Sequence, residues 1–253
     1  MHMLRFPGLR GTARGLVCAL AGLTMLAALP ARAAEDSPCG PIYSAGQFGP
    51  FDYRKEPASR YNLVLTAHFL PFVESLQRGN TATTPGGDLD YTLRALPNYP
   101  RALVSMTRLA QREGKEQPQG ARYTIECYYI RALTFRPDDN LVRMLFADFL
   151  IDKGRGEDAK AHLAYVDKSM DKEDPFTPYN LGLLYLKAGD PAKARELAQQ
   201  ALLLGNPADG LQNALKKAGA WTDAPAPGQA ASAACAPAAA DPAQAPASGA
   251  SAP

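Results

Sequence analysis

The sequence predicts an all-α protein built as a stack of helical hairpins. Three observations carry this. Like residue types recur at a fixed offset of 35 between residues 141–170 and 176–205. Apolar residues in those stretches are spaced by three and four, the period of a helix with one buried face. Glycine and proline fall between the apolar runs, where a helix has to end.

Residues 1–33 read as a secretory signal peptide. Arg5, Arg10 and Arg14 form a basic start, an apolar run spans Gly15 to Leu29, and Ala31-Arg32-Ala33 supplies a small-x-small cleavage pattern. The run is 15 residues long, short of the ~20 that span a bilayer. Cleavage near Ala33 and a periplasmic or secreted location are therefore expected. Cys18 follows Val17 early in the run, and reads as apolar filler rather than a lipidation site. The chain has 27 Lys+Arg and 25 Asp+Glu, a net charge of +2. Four of the arginines, Arg5, Arg10, Arg14 and Arg32, lie in the leader with no acid among them, which leaves 23 against 25, a net of −2. A nucleic-acid partner, which needs a basic stripe, is not expected. No later apolar stretch is long enough for a transmembrane segment in the mature chain.

Residues 34–60 are expected to be an irregular N-terminal segment. They contain Cys39, and an exported protein reaches a compartment where disulfides persist. Cys39 and Cys127 are the expected pair, closing a long loop worth ~4–5 kcal/mol in the chain-entropy model. The alternative is two unlinked cysteines, one buried in a helix. Cys235 is then the odd cysteine.

The repeat domain is expected over residues 61–223. Residues 61–77 and 89–96 predict a first hairpin, closed by Pro97 and Pro100, with Pro71 kinking its first helix. Residues 101–113 predict a helix with Leu103, Met106, Leu109 and Ala110 on one face. Gly114 opens a polar loop, and residues 122–135 form the return helix, closed by Pro137. The next two hairpins carry the period: Ala147 matches Gly182, Leu150 matches Tyr185, Gly154 matches Gly189, Ala159 matches Ala194, Leu163 matches Ala198 and Val166 matches Ala201. Small residues let paired helices approach closely, and the glycines fall at the turns. Residues 208–218 predict a terminal capping helix. Residues 224–253 are mostly Ala, Pro, Ser and Gly with Asp241 as the one charge, and read as a disordered tail or tether.

Pro178-Tyr179-Asn180-Leu181-Gly182-Leu183-Leu184-Tyr185, followed by Ala194, Ala201 and Pro207, resembles the tetratricopeptide repeat. That family's pattern has Leu-Gly, a Tyr three residues later, conserved small positions and a closing Pro. This chain departs from it at Pro178, where Trp is frequent, at Ala198, where a larger residue is usual, and in a closing Pro one residue late. The resemblance covers residues 61–218 and implies a right-handed solenoid of about three to four repeats. The strings GGDLDYTLRA (86–95) and ECYYIRA (126–132) also make the chain similar to secreted tetratricopeptide-repeat proteins of Proteobacteria, which assigns no activity. The competing architecture is a closed helical bundle.

Catalytic signals are sparse, and no enzyme or cofactor is expected. His68 and His162 are the histidines beyond the leader, and neither has the spacing of a metal-ligand pair. There is no Gly-x-Ser-x-Gly elbow and no phosphate-binding Gly-x-x-x-x-Gly-Lys loop. Asp88 and Asp90, and likewise Asp138 and Asp139, are expected to cap helix N-termini.

The resemblance implies that the first helix of each repeat lines a concave groove. Its positions project onto Arg101, Val104 and Arg108, then Leu141, Met144 and Asp148, then Phe176, Tyr179 and Leu183. Asn180 stands where clamp-type members carry Asn, without their accompanying lysines. Arg101 and Arg108 lie two turns apart on one face, a basic edge suited to a peptide with an acidic group; ordinary packing is the bland reading of the same residues. The function expected is an exported adaptor or scaffold that binds a protein or peptide partner. The alternatives are an accessory subunit of a cell-envelope transport or secretion complex, and an enzyme with a carboxylate site around Asp88 and Asp90.

Overall fold

The computed structural model describes residues 38–222 except residue 45; the signal peptide expected over residues 1–33, the Ala/Pro-rich stretch 224–253, Cys18 and Cys235 lie outside the described residues. The described residues form ten helices and no strand. They are α1 (Ala58–His68), α2 (Pro71–Glu74), α3 (Pro85–Ala95), α4 (Pro100–Glu113), α5 (Ile125–Phe135), α6 (Asn140–Asp152), α7 (Gly156–Ser169), α8 (Phe176–Lys187), α9 (Pro191–Leu203) and α10 (Asp209–Lys217).

The 35-residue offset is visible in the packing. α6 pairs with α7 and α8 with α9, and these two hairpins are the most intimate helix pairs in the chain. At the matched positions, Ala147, Ala159, Leu163 and Val166 are buried in one hairpin, and Gly182, Ala194, Ala198 and Ala201 in the next. Gly182 is glycine because of its neighbours: a Cβ there would sit 2.5 Å from Leu211 Cδ2 and 3.2 Å from the Ala194 carbonyl. The turns match as well. Gly154 and Gly189 have φ of 74° and 84°, the left-handed region that costs a Cβ-bearing residue energy. Each sits in the same pair of closing bonds: Gly154 N–H donates to the Ile151 carbonyl and Arg155 N–H to Leu150, while Gly189 N–H donates to Leu186 and Asp190 N–H to Tyr185. These satisfy carbonyls that the helix end leaves free. α4 and α10 close in the same way. The same device ends α9, where Gly205 N–H donates to the Leu202 carbonyl and Asn206 N–H to Ala201.

Stacking follows from the order of neighbours. α4 packs on α6, α6 on α8 and α8 on α10, while α5 meets α6, α7 meets α8 and α9 meets α10. One hydrophobic core runs from Phe69 through Leu215. Asp190 and Asp139 cap α9 and α6 by accepting from Lys193 N–H at 3.0 Å and Val142 N–H at 3.1 Å.

The first hairpin departs from expectation. Residues 61–77 do not make one kinked helix. Phe69 and Leu70 separate α1 from the single turn of α2, because Pro71 has no N–H to continue the ladder and sits at the first position of a new helix. α5 starts at Ile125 rather than 122, where Thr124 accepts from Cys127 N–H and fixes the start.

Residues 38–57 form neither helix nor strand among the described positions. They are tied down by polar locks. Cys39 and Cys127 form a disulfide with Cα atoms 5.0 Å apart, across a separation of 88 residues. Arg131, 2% exposed, donates to the carbonyls of Cys39, Gly40 and Pro41 and lies over the Tyr123 ring. Asp52, 1% exposed, accepts from Arg54, from Arg136 Nε at 2.7 Å and from Asn98 Nδ2 at 2.8 Å. Burial alone would raise the Asp52 carboxyl's pKa, but hydrogen bonds from Arg54 and Asn98 pull it far below the usual range.

Two outcomes check this account. Gly189→Ala has open space for its Cβ, so its cost is conformational, and urea unfolding should show a loss of about 1–2 kcal/mol. Cys127→Ser frees the long loop and should cost about 2–5 kcal/mol in the same measurement.

Candidate functional site

The predicted groove positions fall into three environments. Val104 and Arg108 of α4 and Asp148 of α6 line one cleft of about 260 Å³ together with Thr107, Gln111, Tyr129, Leu145, Phe149 and Asp152. A second depression, about 350 Å³, shares Thr107, Gln111, Phe149 and Asp152 with the first and extends to Lys115 and Lys153. The two form one continuous trough between α4 and α6, reaching the loop after α4. Its floor is aromatic. Tyr129 stacks on Phe146 at 5.2 Å and meets Phe149 at 5.6 Å, and its hydroxyl bonds Thr107 Oγ1 at 2.9 Å. Burial pushes the Tyr129 phenol up to about 12, so it stays a neutral donor and acceptor.

The rim carries charge of both signs. On the α6 side Asp148 and Asp152 both pair with Lys187 Nζ at 2.5 Å. Desolvation lowers the Lys187 pKa, but the two carboxylates raise it by more, and the ammonium is held charged. On the α4 side Arg108 is exposed, and no ion pair reaches it among the described residues.

The second group is held in other contacts. Arg101 is exposed but committed to Glu74, with Nε at 2.8 Å and Nη2 at 2.5 Å. The basic edge expected from Arg101 and Arg108 therefore reduces to Arg108. Met144 is 7% exposed and belongs to the core: its position on α6 turns between the neighbouring helices, which corrects its placement on an open groove face. The third group lies on α8. Phe176 is 65% exposed at its first turn. Tyr179 is half-buried, with its hydroxyl against Gly210 of α10. Asn180 donates to the Phe176 carbonyl at 3.0 Å within its own helix, and Leu183 is half-buried against the core. None of these four lines the α4–α6 trough.

Thr107, Gln111, Leu145 and Asp152 were not among the expected positions. A signal for them exists in the sequence, since 104, 107, 108 and 111 share one face of α4, as do 145, 148, 149 and 152 on α6. Tyr129 had none, because it reaches the trough from α5.

Of the four carboxylates expected to cap helices, Asp88, Asp90 and Asp138 do different work. Asp88, fully buried, accepts from the N–H groups of Asn80 and Ala82 at 2.7 and 3.1 Å, from Thr81 Oγ1, and from His68 Nδ1 at 2.8 Å. It fastens the loop before α3 rather than the helix start. Burial raises its pKa, and the hydrogen bonds from Thr81, Asn80 and His68 outweigh that and lower it. Thr81 and Asp88 both meet His68 at Nδ1. A nucleophile relay needs the hydroxyl and the carboxylate on opposite ring nitrogens, so this cluster is a loop fastener. Asp90 accepts from Tyr128 Oη at 2.6 Å, Arg122 N–H at 3.1 Å and Arg94 Nε at 2.9 Å. Asp138 pairs with Arg54, while Asp139 caps α6 as expected.

Among the described residues no cluster of His, Cys, Asp and Glu has the arrangement of a metal site, and no helix is long and apolar enough to cross a membrane. No protein-family model matches the chain, and no curated protein matches it.

His162 gives a pH test of the α6–α7 hairpin. Its Nδ1 faces Arg143 Nη1 at 3.3 Å and its ring packs on Phe146. Burial, then the Arg143 charge, lowers its pKa below 6.5. The unfolded chain therefore binds the proton more readily, and stability falls as pH drops through about 6.5. Thermal melts between pH 7.5 and 5 should show that slope, and His162→Gln should flatten it.

Proposed function

We propose that the chain is an exported interaction scaffold of tetratricopeptide type, whose trough between α4 and α6 holds an extended or helical peptide segment of a protein partner. The leader-like N-terminus and the Cys39–Cys127 disulfide support export to an oxidising compartment. The repeated hairpins, with their shared offset, small contacts and glycine closures, support the solenoid.

One observation carries the binding reading. The trough pairs an aromatic floor of Tyr129 and Phe149 with a cation, Arg108, that no ion pair reaches among the described residues, while the two acids opposite, Asp148 and Asp152, share the one ammonium of Lys187. Apolar side chains of a partner would cover the floor, and a carboxylate would meet Arg108. The rigid helices hold these groups in place before the partner arrives, which limits the ordering cost of binding. Binding rather than catalysis is supported by the commitment of Asp88 and Asp90 to internal donors.

The test is capture of partners from envelope extract by the immobilised protein, read by quantitative mass spectrometry. Arg108→Glu places a like charge against the acidic group and should weaken capture by about tenfold or more. A partner held equally well by this variant would remove the trough from the model.

A further inference from the structure

The two lips of the trough carry opposite charges that do not meet. Arg108 on α4 and the acids Asp148 and Asp152 on α6 line one cleft of about 260 Å³. Among the described residues no ion pair joins Arg108 to either acid; both acids pair with Lys187 instead. Two carboxylates against one ammonium leave one negative charge over on the α6 lip. Lys187 reaches them from α8 and does not itself line the trough. On the α4 lip Arg108 is exposed, and Gln111, three residues on, shares its face. Val104 and Leu145, both half-buried, join the Tyr129 and Phe149 rings in lining the space between the lips.

This arrangement selects the shape of an occupant. A segment seated there has to present three surfaces at once: apolar toward the floor, acidic toward α4 and basic toward α6. An extended strand sends successive side chains to two opposite faces. One of these would meet the floor and the other solvent, which leaves both lips facing backbone. A helix sends side chains outward at steps of about 100°. In a heptad, positions a and d then meet the floor while e and g face the two lips.

Resting on the reading of the trough as a peptide site, we propose that its occupant is an amphipathic helix of a partner protein, with acidic residues along one flank of its apolar stripe and basic residues along the other. The acidic flank lies against Arg108, and the basic flank lies against Asp148 and Asp152. The reverse arrangement is penalised on both lips. An acid facing α6 meets the unbalanced carboxylates, and a base facing α4 meets Arg108. The opposed flanks also fix which way the helix runs, because turning it end for end with its apolar stripe on the floor exchanges them.

Selection against the full chain from a library of random peptides of about 15 residues, long enough for a helix to form, tests this. Enriched sequences should carry apolar residues at the a and d spacing, with acids gathered at one of e and g and bases at the other. A representative bipolar peptide should bind Arg108→Glu about tenfold more weakly by fluorescence anisotropy. Asp152→Asn leaves one carboxylate for one ammonium, and should remove the enrichment of bases while keeping that of acids. Enrichment of alternating or proline-rich sequences, of flanks with a single sign of charge, or of nothing at all overturns the proposal. Equal binding of the bipolar peptide to Arg108→Glu and to the unaltered chain overturns it as well. Failure of the broader reading looks different. Envelope partners are then captured equally by Arg108→Glu, whereas capture that still depends on Arg108, with no bipolar helix selected, removes only the helical occupant.

Discussion

The stack depends on how closely paired helix backbones approach within α6–α7 and α8–α9. Ala147, Ala159, Gly182 and Ala194 have little or no side chain to hold the helices apart, and each is buried. Close approach then sets the rest. The chain must reverse in a few residues, which places Gly154 and Gly189 in left-handed conformations with the same closing bonds. Larger residues of the same helices, Leu150, Leu181 and Tyr185, are buried in the common core. A helix pair cannot bury all its apolar surface alone, and the neighbouring hairpin completes it.

The N-terminal half reaches the same stacking by other means. Where the repeat pattern fades, buried polar groups tie segments together. Asp52 joins the N-terminal segment to Asn98 and Arg136, and Asn98 also reaches Asp139, the cap of α6. Arg131 and the disulfide hold residues 39–41 on α5. Such groups are costly to bury unless their bonds are made. Their near-complete pairing makes each lock specific to one arrangement of its segments.

How the trough arises explains its partial legibility. Val104, Arg108 and Asp148 were expected from the family resemblance, and the structure places all three along one cleft. Met144 sits on the expected helix, yet lies in the core because α6 has neighbours on several sides. Arg101 has the right position for a basic edge, but α2 brings Glu74 beside it. Spacing along one helix cannot report what a separate element presents to it.

The sequence by itself determined the helical class, the two hairpins at a 35-residue offset, their glycine closures and the Cys39–Cys127 pairing. These follow from local rules: apolar period, turn chemistry and the loss of N–H at proline. Tertiary structure alone decided that Asp88 and Asp90 fasten loops, that Tyr129 floors the trough from another helix, and that Lys187 pairs with both acids on its rim. Each of these contacts joins residues from different helices or loops. Hydrogen bonds and ion pairs act over a few ångströms of space, and distance along the chain carries no record of which partners the stack brings within that reach.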